Sequence, residues 1–298
     1  MTAESTADLE TAVADFAAVR PRLFGIAYRM LGSVAEAEDV VQDAWLRWQG
    51  TDRSAVRDVA AFLATTTTRL AINVATSARV SRESYIGPWI PEPVDTSADP
   101  QLGAERGEAL ELAVLMMLEK LPATERAAYV LREAFDYPYR QIAEVLETSE
   151  ANARQLATRA RAHLTEERRT VVERHEHQRL LSAFVAAASS GDLEGLERLL
   201  AADAISYSDG GGVVFAARKA VVGRSRVALF IANIAAKNLV GASASFVEAN
   251  GQTGVLVRAG DGSVVFVSVE VTEDGISRVL FVLNPTKLQL ASGDGWGL

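Results

Sequence analysis

The alternation of apolar and polar residues divides the chain into a helical region and a later region that is rich in strands. Over residues 9–48, 59–84 and 102–164, apolar side chains recur every three or four positions, which predicts amphipathic helices. After His175, two short helical segments precede apolar–polar alternation that is interrupted by Asp-Gly and Asn-Gly pairs, as in antiparallel hairpins. The pattern therefore predicts helical domains followed by an α+β domain with about six strands.

Residues 137–164 have the pattern of two short helices joined by a tight polar break. The first helix has an apolar face around Ile142, and the second places small apolar residues where the two helices would cross. Ser149 follows the break and is a predicted N-cap, because its hydroxyl can accept a hydrogen bond from a backbone N–H that lacks a helical partner. This pattern is typical of a DNA-binding helix-turn-helix, and an ordinary helical hairpin with a basic face is the alternative.

Two earlier helices carry charged faces. The helix predicted over residues 34–48, with Ser33 as its N-cap, is apolar on one side and strongly acidic on the other. A solvated surface is the usual meaning of such a charge run, and a docking surface for a basic partner helix is the alternative. The helix that begins near residue 59 has arginine and asparagine side chains towards its C-terminal half. These side chains suit contact with nucleic acid and plain exposure to solvent equally well.

Residues 85–101 form the clearest linker, because four of the eight prolines fall there and proline is poorly compatible with helix interiors. The linker also contains apolar residues, among them Trp89 and Ile90. We therefore expect an extended segment that packs against a surface.

Composition narrows the function. The chain has no cysteine, which excludes disulfides, thiolate zinc sites and cysteine nucleophiles. Its net charge of −9 is unfavourable for a protein that binds DNA alone, since phosphate contacts supply most non-specific affinity. A larger partner that holds the chain on DNA would remove this difficulty. The sequence shows neither an apolar run of about 18 residues nor a secretory signal, so we expect a cytoplasmic protein without a membrane partner.

Taken together, the helical blocks resemble bacterial extracytoplasmic-function (ECF) RNA polymerase sigma factors over residues 18–164. The segment AEDVVQDAWLRW is similar to the sigma-2 helix that docks on the clamp helices of the polymerase β′ subunit. The segment LPATERAAYVLREAFDYPYRQIAEVLETSEANARQLATRARAHL is very similar to sigma-4, whose last helix enters the major groove of the minus-35 element. The resemblance favours docking over a merely solvated face for the acidic helix.

The same resemblance implies roles for particular residues. Contacts with core polymerase, which also include the β flap, are expected through Glu38, Asp39, Gln42, Asp43, Trp45 and Leu46. The loop at residues 50–57 corresponds to the one that captures a flipped base, and minus-10 DNA is expected to contact Arg53, Arg69, Asn73, Arg79 and Arg82. Minus-35 DNA is expected to contact Asn152, Arg154, Gln155, Thr158, Arg159 and Arg161.

The C-terminal part resembles the SnoaL-like domain, of the NTF2 superfamily, that a subgroup of these sigma factors carries. The signatures are a WIPEP linker, a DGGG loop and an NPTKL tail. Val213 stands where the subgroup has a lysine after the glycines, so that lysine's role is absent here unless Lys219 substitutes. The resemblance implies regulation in cis through contacts of Trp89, Pro91, Glu92, Pro93, Asp209, Gly210, Gly211, Gly212, Asn284, Pro285 and Lys287.

We therefore expect five segments along the chain. They are an all-α sigma-2 domain over 1–84, a proline-rich linker over 85–101, an all-α sigma-4 helix-turn-helix domain over 102–170, a SnoaL-like cone with a curved antiparallel sheet over 171–288, and a tail over 289–298.

The expected function is that of a promoter-specificity subunit without catalytic residues, metal or cofactor. One alternative is a stand-alone helix-turn-helix regulator whose NTF2-like pocket senses a small ligand that the sequence does not identify. A second alternative is an NTF2-like hydrolase or isomerase that uses Asp209 as its acid or base. An aspartate followed by three glycines is more simply explained as a tight loop.

Overall fold

The structure is a computed structural model that describes residues 3–97, 110–167, 172–238 and 241–288. The chain forms two compact units. The first contains the described residues through Glu83 together with Leu110 and Val114–Glu167, and the second contains residues 84–97, Glu111–Ala113 and the described residues after 171. No described helix has the length and apolar character needed to cross a membrane.

The first unit begins with three long helices: α1 (Ala3–Leu31), α2 (Val34–Gln49) and α3 (Val59–Glu83). α1 continues through Pro21, although proline is poorly compatible with a helix interior. Proline removes one backbone donor, and packing of α1 against both α2 and α3 outweighs that loss. The predicted cap is confirmed, since the Ser33 hydroxyl accepts a 3.4 Å bond from the Glu36 N–H. Trp48 is fully buried and its indole donates to the Ala12 carbonyl at 3.1 Å.

Apart from the first two residues of α4, the rest of the first unit is formed by shorter helices: α4 (Leu112–Glu119), α5 (Ala123–Tyr129), a π-helical turn (Val130–Ala134), α6 (Tyr139–Val145) and α7 (Glu150–Glu167). The predicted helix-turn-helix is confirmed as α6 and α7. Glu147 adopts a left-handed φ of 51° in the break between them. Ser149 caps α7 by accepting a 3.2 Å bond from the Asn152 N–H. The small residues Ala153 and Ala160 are fully buried, as close packing of α7 against α5 and α6 requires.

A buried arginine ties these short helices to the long ones. Arg126, only 3% exposed, donates to the carbonyl of Met30 at the end of α1. It also donates to the carbonyl of Glu119 at 2.8 Å and to that residue's carboxylate at 2.8 Å. A guanidinium can satisfy several acceptors at once, so one side chain closes the helix ends that meet here.

The second unit packs three helices on a six-stranded sheet. The helices are α8 (Arg174–Ser190), α9 (Leu193–Leu199) and α10 (Arg224–Asn238). The strands are β1 (Leu200–Asp209), β2 (Val221–Val222), β3 (Ser243–Ala249), β4 (Gln252–Arg258), β5 (Val264–Thr272) and β6 (Gly275–Val282). The strand order is β2-β1-β6-β5-β4-β3.

Two features of this sheet differ from the sequence prediction. The sheet is mixed and not wholly antiparallel, because β1 pairs with β6 in the parallel direction. Residues 213–223 lie in the region of predicted strands but contribute only the two residues of β2, and α10 was not predicted. Alternation within a strand carries no information on the direction of its neighbour.

The linker runs as an extended segment along the second unit, as expected. Val94 exchanges bonds with Asn250: its N–H donates to the Asn250 side-chain oxygen at 3.0 Å, and its carbonyl accepts the Asn250 N–H at 3.0 Å. Thr96 continues this pairing by donating to the Glu248 carbonyl at 3.2 Å. The linker is therefore held to the sheet by backbone bonds as well as by packing.

Candidate DNA-binding and regulatory sites

A fully buried carboxylate, Asp209, lies at the end of β1 in the second unit. One of its oxygens, Oδ2, accepts the Ile90 N–H at 2.9 Å and the Lys287 ammonium at 2.8 Å. The other, Oδ1, accepts the Tyr85 hydroxyl at 2.6 Å and the Gly211 N–H at 3.1 Å. A buried charge is tolerated when it is paired and hydrogen-bonded, and both conditions hold here.

The cation that pairs with Asp209 is enclosed by aromatic rings. The Lys287 ammonium lies 4.2 Å from the centroid of Trp89 and 5.2 Å from that of Tyr85, and it donates to the Ile90 carbonyl. Burial of Tyr85, together with its bond to the negative Asp209, raises the pKa of the Tyr85 phenol. The phenol is therefore a permanent donor to the carboxylate at neutral pH.

The three-residue turn Pro285–Lys287 positions this lysine. Asn284 caps the turn, because its side-chain oxygen accepts the Thr286 N–H at 3.1 Å. Its side-chain nitrogen donates to the Tyr85 hydroxyl at 3.0 Å, and its backbone N–H donates to the Asp209 carbonyl at 2.9 Å. The NPTKL tail thus contributes both a charge and a cap to the cluster.

The glycines of the DGGG loop are required because neighbouring atoms leave no room for a Cβ. Gly211 has a left-handed φ of 61°, and a Cβ there would lie 2.3 Å from the Asn284 side-chain nitrogen. A Cβ on Gly210 would lie 2.3 Å from the Val214 carbonyl oxygen. Gly212 has a φ of 74°, and a Cβ there would lie 2.9 Å from Ile86. Any other residue would clash or be strained at these positions.

Other residues of the predicted regulatory set, and Val213 and Lys219 beside it, differ in how far they are buried. Pro91 and Pro93 are buried and Glu92 is half-buried. Val213 is 69% exposed. Lys219 is exposed, and the cation that pairs with Asp209 is Lys287.

Sequence reasoning missed Tyr85 and Ile90 as partners of the carboxylate. Tyr85 lies in the apolar linker only four residues before Trp89, which is the signal that was available. The Ile90 contact uses a backbone N–H, so no side-chain pattern could reveal it.

The acidic face of α2 is largely accessible. Asp39, Gln42 and Asp43 are exposed, and Leu46 is 55% exposed. The other two predicted polymerase contacts are partly engaged within the unit. Glu38 pairs with Arg20 at 2.6 Å, and Trp45 packs against Phe16 with ring centroids 5.1 Å apart.

Arg69, predicted to contact minus-10 DNA, binds the end of α6. It donates to the carbonyls of Val145 and Glu144 at 2.9 Å each, and it pairs with Glu147 at 3.0 Å. The last carbonyls of a helix lack intrahelical donors and carry partial negative charge, so a guanidinium is a favourable partner there.

The other predicted minus-10 residues lie in several environments. Arg82 is 12% exposed and donates to the Leu31 carbonyl at 2.7 Å and to the Glu36 carboxylate at 2.9 Å. Arg53 pairs with Asp8, whereas Asn73 is exposed. The side chain of Arg79 lies outside the described residues.

The polar side of α7 is exposed, and its arginines make local pairs. These pairs are Arg154 with Glu150 at 3.1 Å, Arg159 with Glu125 at 3.4 Å, and Arg161 with Glu133. The Arg154–Glu150 pair is exposed on both sides and contributes about 0–1 kcal/mol, so phosphate can replace the Glu150 carboxylate at little cost.

The remaining predicted minus-35 residues lie on the same helix. Asn152 donates to the Thr148 hydroxyl at 2.8 Å, and the Thr158 hydroxyl donates to the Arg154 carbonyl at 2.8 Å. Gln155 is exposed. Across the described residues, no group of three or more His, Asp or Glu side chains is arranged to hold a metal ion.

Two models of known protein families match the helical part of the chain. Residues 16–80 match Sigma-70 region 2, and residues 111–164 match Sigma-70, region 4. The chain is 39% identical over 224 residues to the ECF RNA polymerase sigma factor SigJ of Mycobacterium tuberculosis, across 74% of this chain and 72% of SigJ. It is 36% identical over 185 residues to the probable ECF RNA polymerase sigma factor SigI of the same organism, across 61% of this chain and 64% of SigI.

A solved structure extends the similarity to the second unit. The crystal structure of Mycobacterium tuberculosis SigJ matches with a TM-score of 0.76 and 32% sequence identity, covering 93% of this chain and 98% of that one. The match includes the C-terminal SnoaL-like domain, so the predicted fold class is confirmed, with the parallel pairing of β1 and β6 as a refinement.

Proposed function

This chain belongs to the ECF RNA polymerase sigma factors, and we propose that it directs core polymerase to specific promoters under the control of its own SnoaL-like domain. The observation that carries the proposal is the presence, in one helical unit, of an exposed acidic face on α2 and an exposed polar and basic face on α7. The first suits a basic docking helix, and the second suits a DNA major groove. The chain would act in the cytoplasm, where polymerase and promoter DNA meet.

The contacts with polymerase are proposed to lie on α2. Asp39, Gln42, Asp43 and Leu46 offer charge around an apolar centre, which is the usual composition of a specific interface. Family membership supports docking of α2 on the β′ clamp helices and contact of the sigma-4 part with the β flap as the proposed contacts. The net charge of −9 is then acceptable, because core polymerase supplies much of the affinity for DNA.

The contacts with DNA are proposed to use both halves of the helical unit. The residues of α7 that would read minus-35 bases are Asn152, Arg154, Gln155, Thr158 and Arg159, and Arg161 would bind phosphate. On α3, Asn73 is accessible as it stands. Arg69 would have to leave the carbonyls of α6 before it could bind the minus-10 element.

The SnoaL-like domain is proposed to regulate and not to catalyse. Asp209, the one candidate acid or base, is fully buried and its oxygens accept four bonds, so it has no access to a substrate. Two of those four bonds, from the Tyr85 hydroxyl and the Ile90 N–H, hold the linker on the domain. Regulation would follow because the linker joins the two sigma parts, and its free length depends on this attachment.

Promoter-directed transcription with purified core polymerase tests the proposal. The full chain would be compared with truncations after Leu164 and after Leu288. Transcription by the full chain is the expected result, and a change in activity after removal of the SnoaL-like domain would give the sign of its control. No transcription by any of the three, combined with tight DNA binding without polymerase, would instead support the stand-alone regulator.

A further inference from the structure

Residues 210–247 are the longest stretch of this acidic chain without an aspartate or glutamate. The 38 residues carry five basic side chains, namely Arg218, Lys219, Arg224, Arg226 and Lys237. The chain as a whole has a net charge of −9. Acidic residues are likewise absent from residues 59–82 and 151–165, which cover most of α3 and α7, the two helices expected to face DNA. The stretch therefore has the charge of a surface for a polyanion.

Most of these cations are available to a ligand. Arg218, Lys219, Arg226 and Lys237 are exposed, and none of the four pairs with another described residue. Arg224 is exposed as well, although its Nε donates to the Leu200 carbonyl at 2.9 Å. Most other exposed arginines of the second unit have carboxylate partners; Arg198, for example, pairs with both Asp192 and Glu194.

An apolar protrusion lies beside these cations. Phe215 is 99% exposed, and its neighbours Val213 and Val214 are 69% and 39% exposed. The loop lines an open groove of about 590 Å³ that Ile86 and Arg218 also line. A fully exposed aromatic ring next to free cations is the combination that binds single-stranded nucleic acid, because the ring stacks on a base while the cations bind phosphates.

The start of α10 extends the same basic surface. Lys219 and Arg224 are separated by five residue steps, so their Cα atoms lie within about 18 Å of each other. On α10, Val227, Ala228 and Ile231 belong to the domain core, and Ala235 is buried as well. Positions 226, 229, 233 and 237 form the opposite, exposed stripe.

We propose that residues 213–219 and the exposed stripe of α10 form a binding surface for single-stranded DNA in the SnoaL-like domain. Phe215 stacks on a base, and Arg218, Lys219 and Arg226 bind the adjacent phosphates. The choice of DNA over an acidic protein segment rests on the proposed function, which places the chain on a promoter whose strands separate. The surface lies wholly within the second unit and uses none of the residues assigned above to polymerase or DNA.

Fluorescence anisotropy with the full-length chain tests this proposal without polymerase. The probes are a labelled oligothymidine of 20 nucleotides and a duplex of the same length. Phe215→Ala should weaken oligothymidine binding about fivefold or more. The double variant Arg218→Ala/Lys219→Ala should lower the slope of log affinity against log salt by about 1.4, the value for two lost phosphate contacts on a single strand. Arg198→Ala is the matched control and should bind like wild type.

Three results would overturn the proposal. One is unchanged binding of oligothymidine by both variants. Another is an equal loss on the duplex after Phe215→Ala, which would exclude base stacking. The third is unchanged DNA binding combined with weaker assembly with core polymerase, which would assign the surface to an acidic protein segment. Wild-type promoter-directed transcription alongside any of these results would leave the sigma function intact.

Discussion

Lys287 is the residue whose removal has the clearest consequence in the second unit. Its ammonium is the only positive charge that pairs with Asp209 among the described residues, and the carboxylate is fully buried. Lys287→Met should therefore lower the free energy of unfolding by about 3 kcal/mol, because it leaves an uncompensated buried charge. Urea unfolding would measure the change.

A double variant distinguishes loss of the charge pair from loss of packing. Asp209→Asn combined with Lys287→Met removes both charges and should recover part of the stability lost in the single variant. Lys219→Ala, on the exposed loop, should have no effect. If Asp209→Asn destabilises the Lys287→Met variant as much as it destabilises the wild type, the two side chains act independently.

A buried histidine gives the second unit a dependence on pH. The Nε2 of His177 lies 3.0 Å from the Val269 carbonyl, and burial of the ring lowers the pKa of His177 in the folded state. The unfolded chain then binds a proton more readily than the folded chain as pH falls below about 6.5. Stability should decline from that pH downwards, and His177→Gln should remove this part of the decline. Urea unfolding of both proteins at pH 7.5 and pH 5.5 would measure it.

At the scale of elements, Arg69 joins α3 to the helix-turn-helix. Its two bonds to the carbonyls that end α6 should make Arg69→Ala destabilising by about 1–2 kcal/mol, since bonds from a charged donor are stronger than neutral ones. Glu147→Ala removes only the exposed ion pair and should cost less than about 1 kcal/mol. Urea unfolding would compare them. Equal effects would mean that the carbonyl bonds contribute nothing.

Element boundaries also show how far the sequence could predict this fold. Apolar spacing predicted α2, α3 and α7. The preference of serine for N-cap positions predicted the caps of α2 at Ser33 and of α7 at Ser149, because these features depend on nearby residues alone. The parallel pairing of β1 with β6 joins strands that are far apart in the chain, so local alternation could not reveal it. Asp209 and Lys287 meet only because of that pairing. Family resemblance identified both residues, and their bond could be seen only in the structure.

At the scale of the whole molecule, the linker is held to the SnoaL-like domain at two separate points. The Ile90 N–H donates to the Asp209 carboxylate at 2.9 Å, and the Val94 N–H donates to the Asn250 side chain at 3.0 Å. Asp209→Ala should release the first point and leave the second, so the Ile90 amide should exchange with solvent faster while the Val94 amide stays protected. Asn250→Ala should reverse the pattern. Hydrogen exchange resolved at these two amides would measure both, and simultaneous loss of protection in either variant would show that the linker detaches as one unit. In that case either variant should change promoter-directed transcription in the same direction as truncation after Leu164, because each frees the segment that joins the two sigma parts.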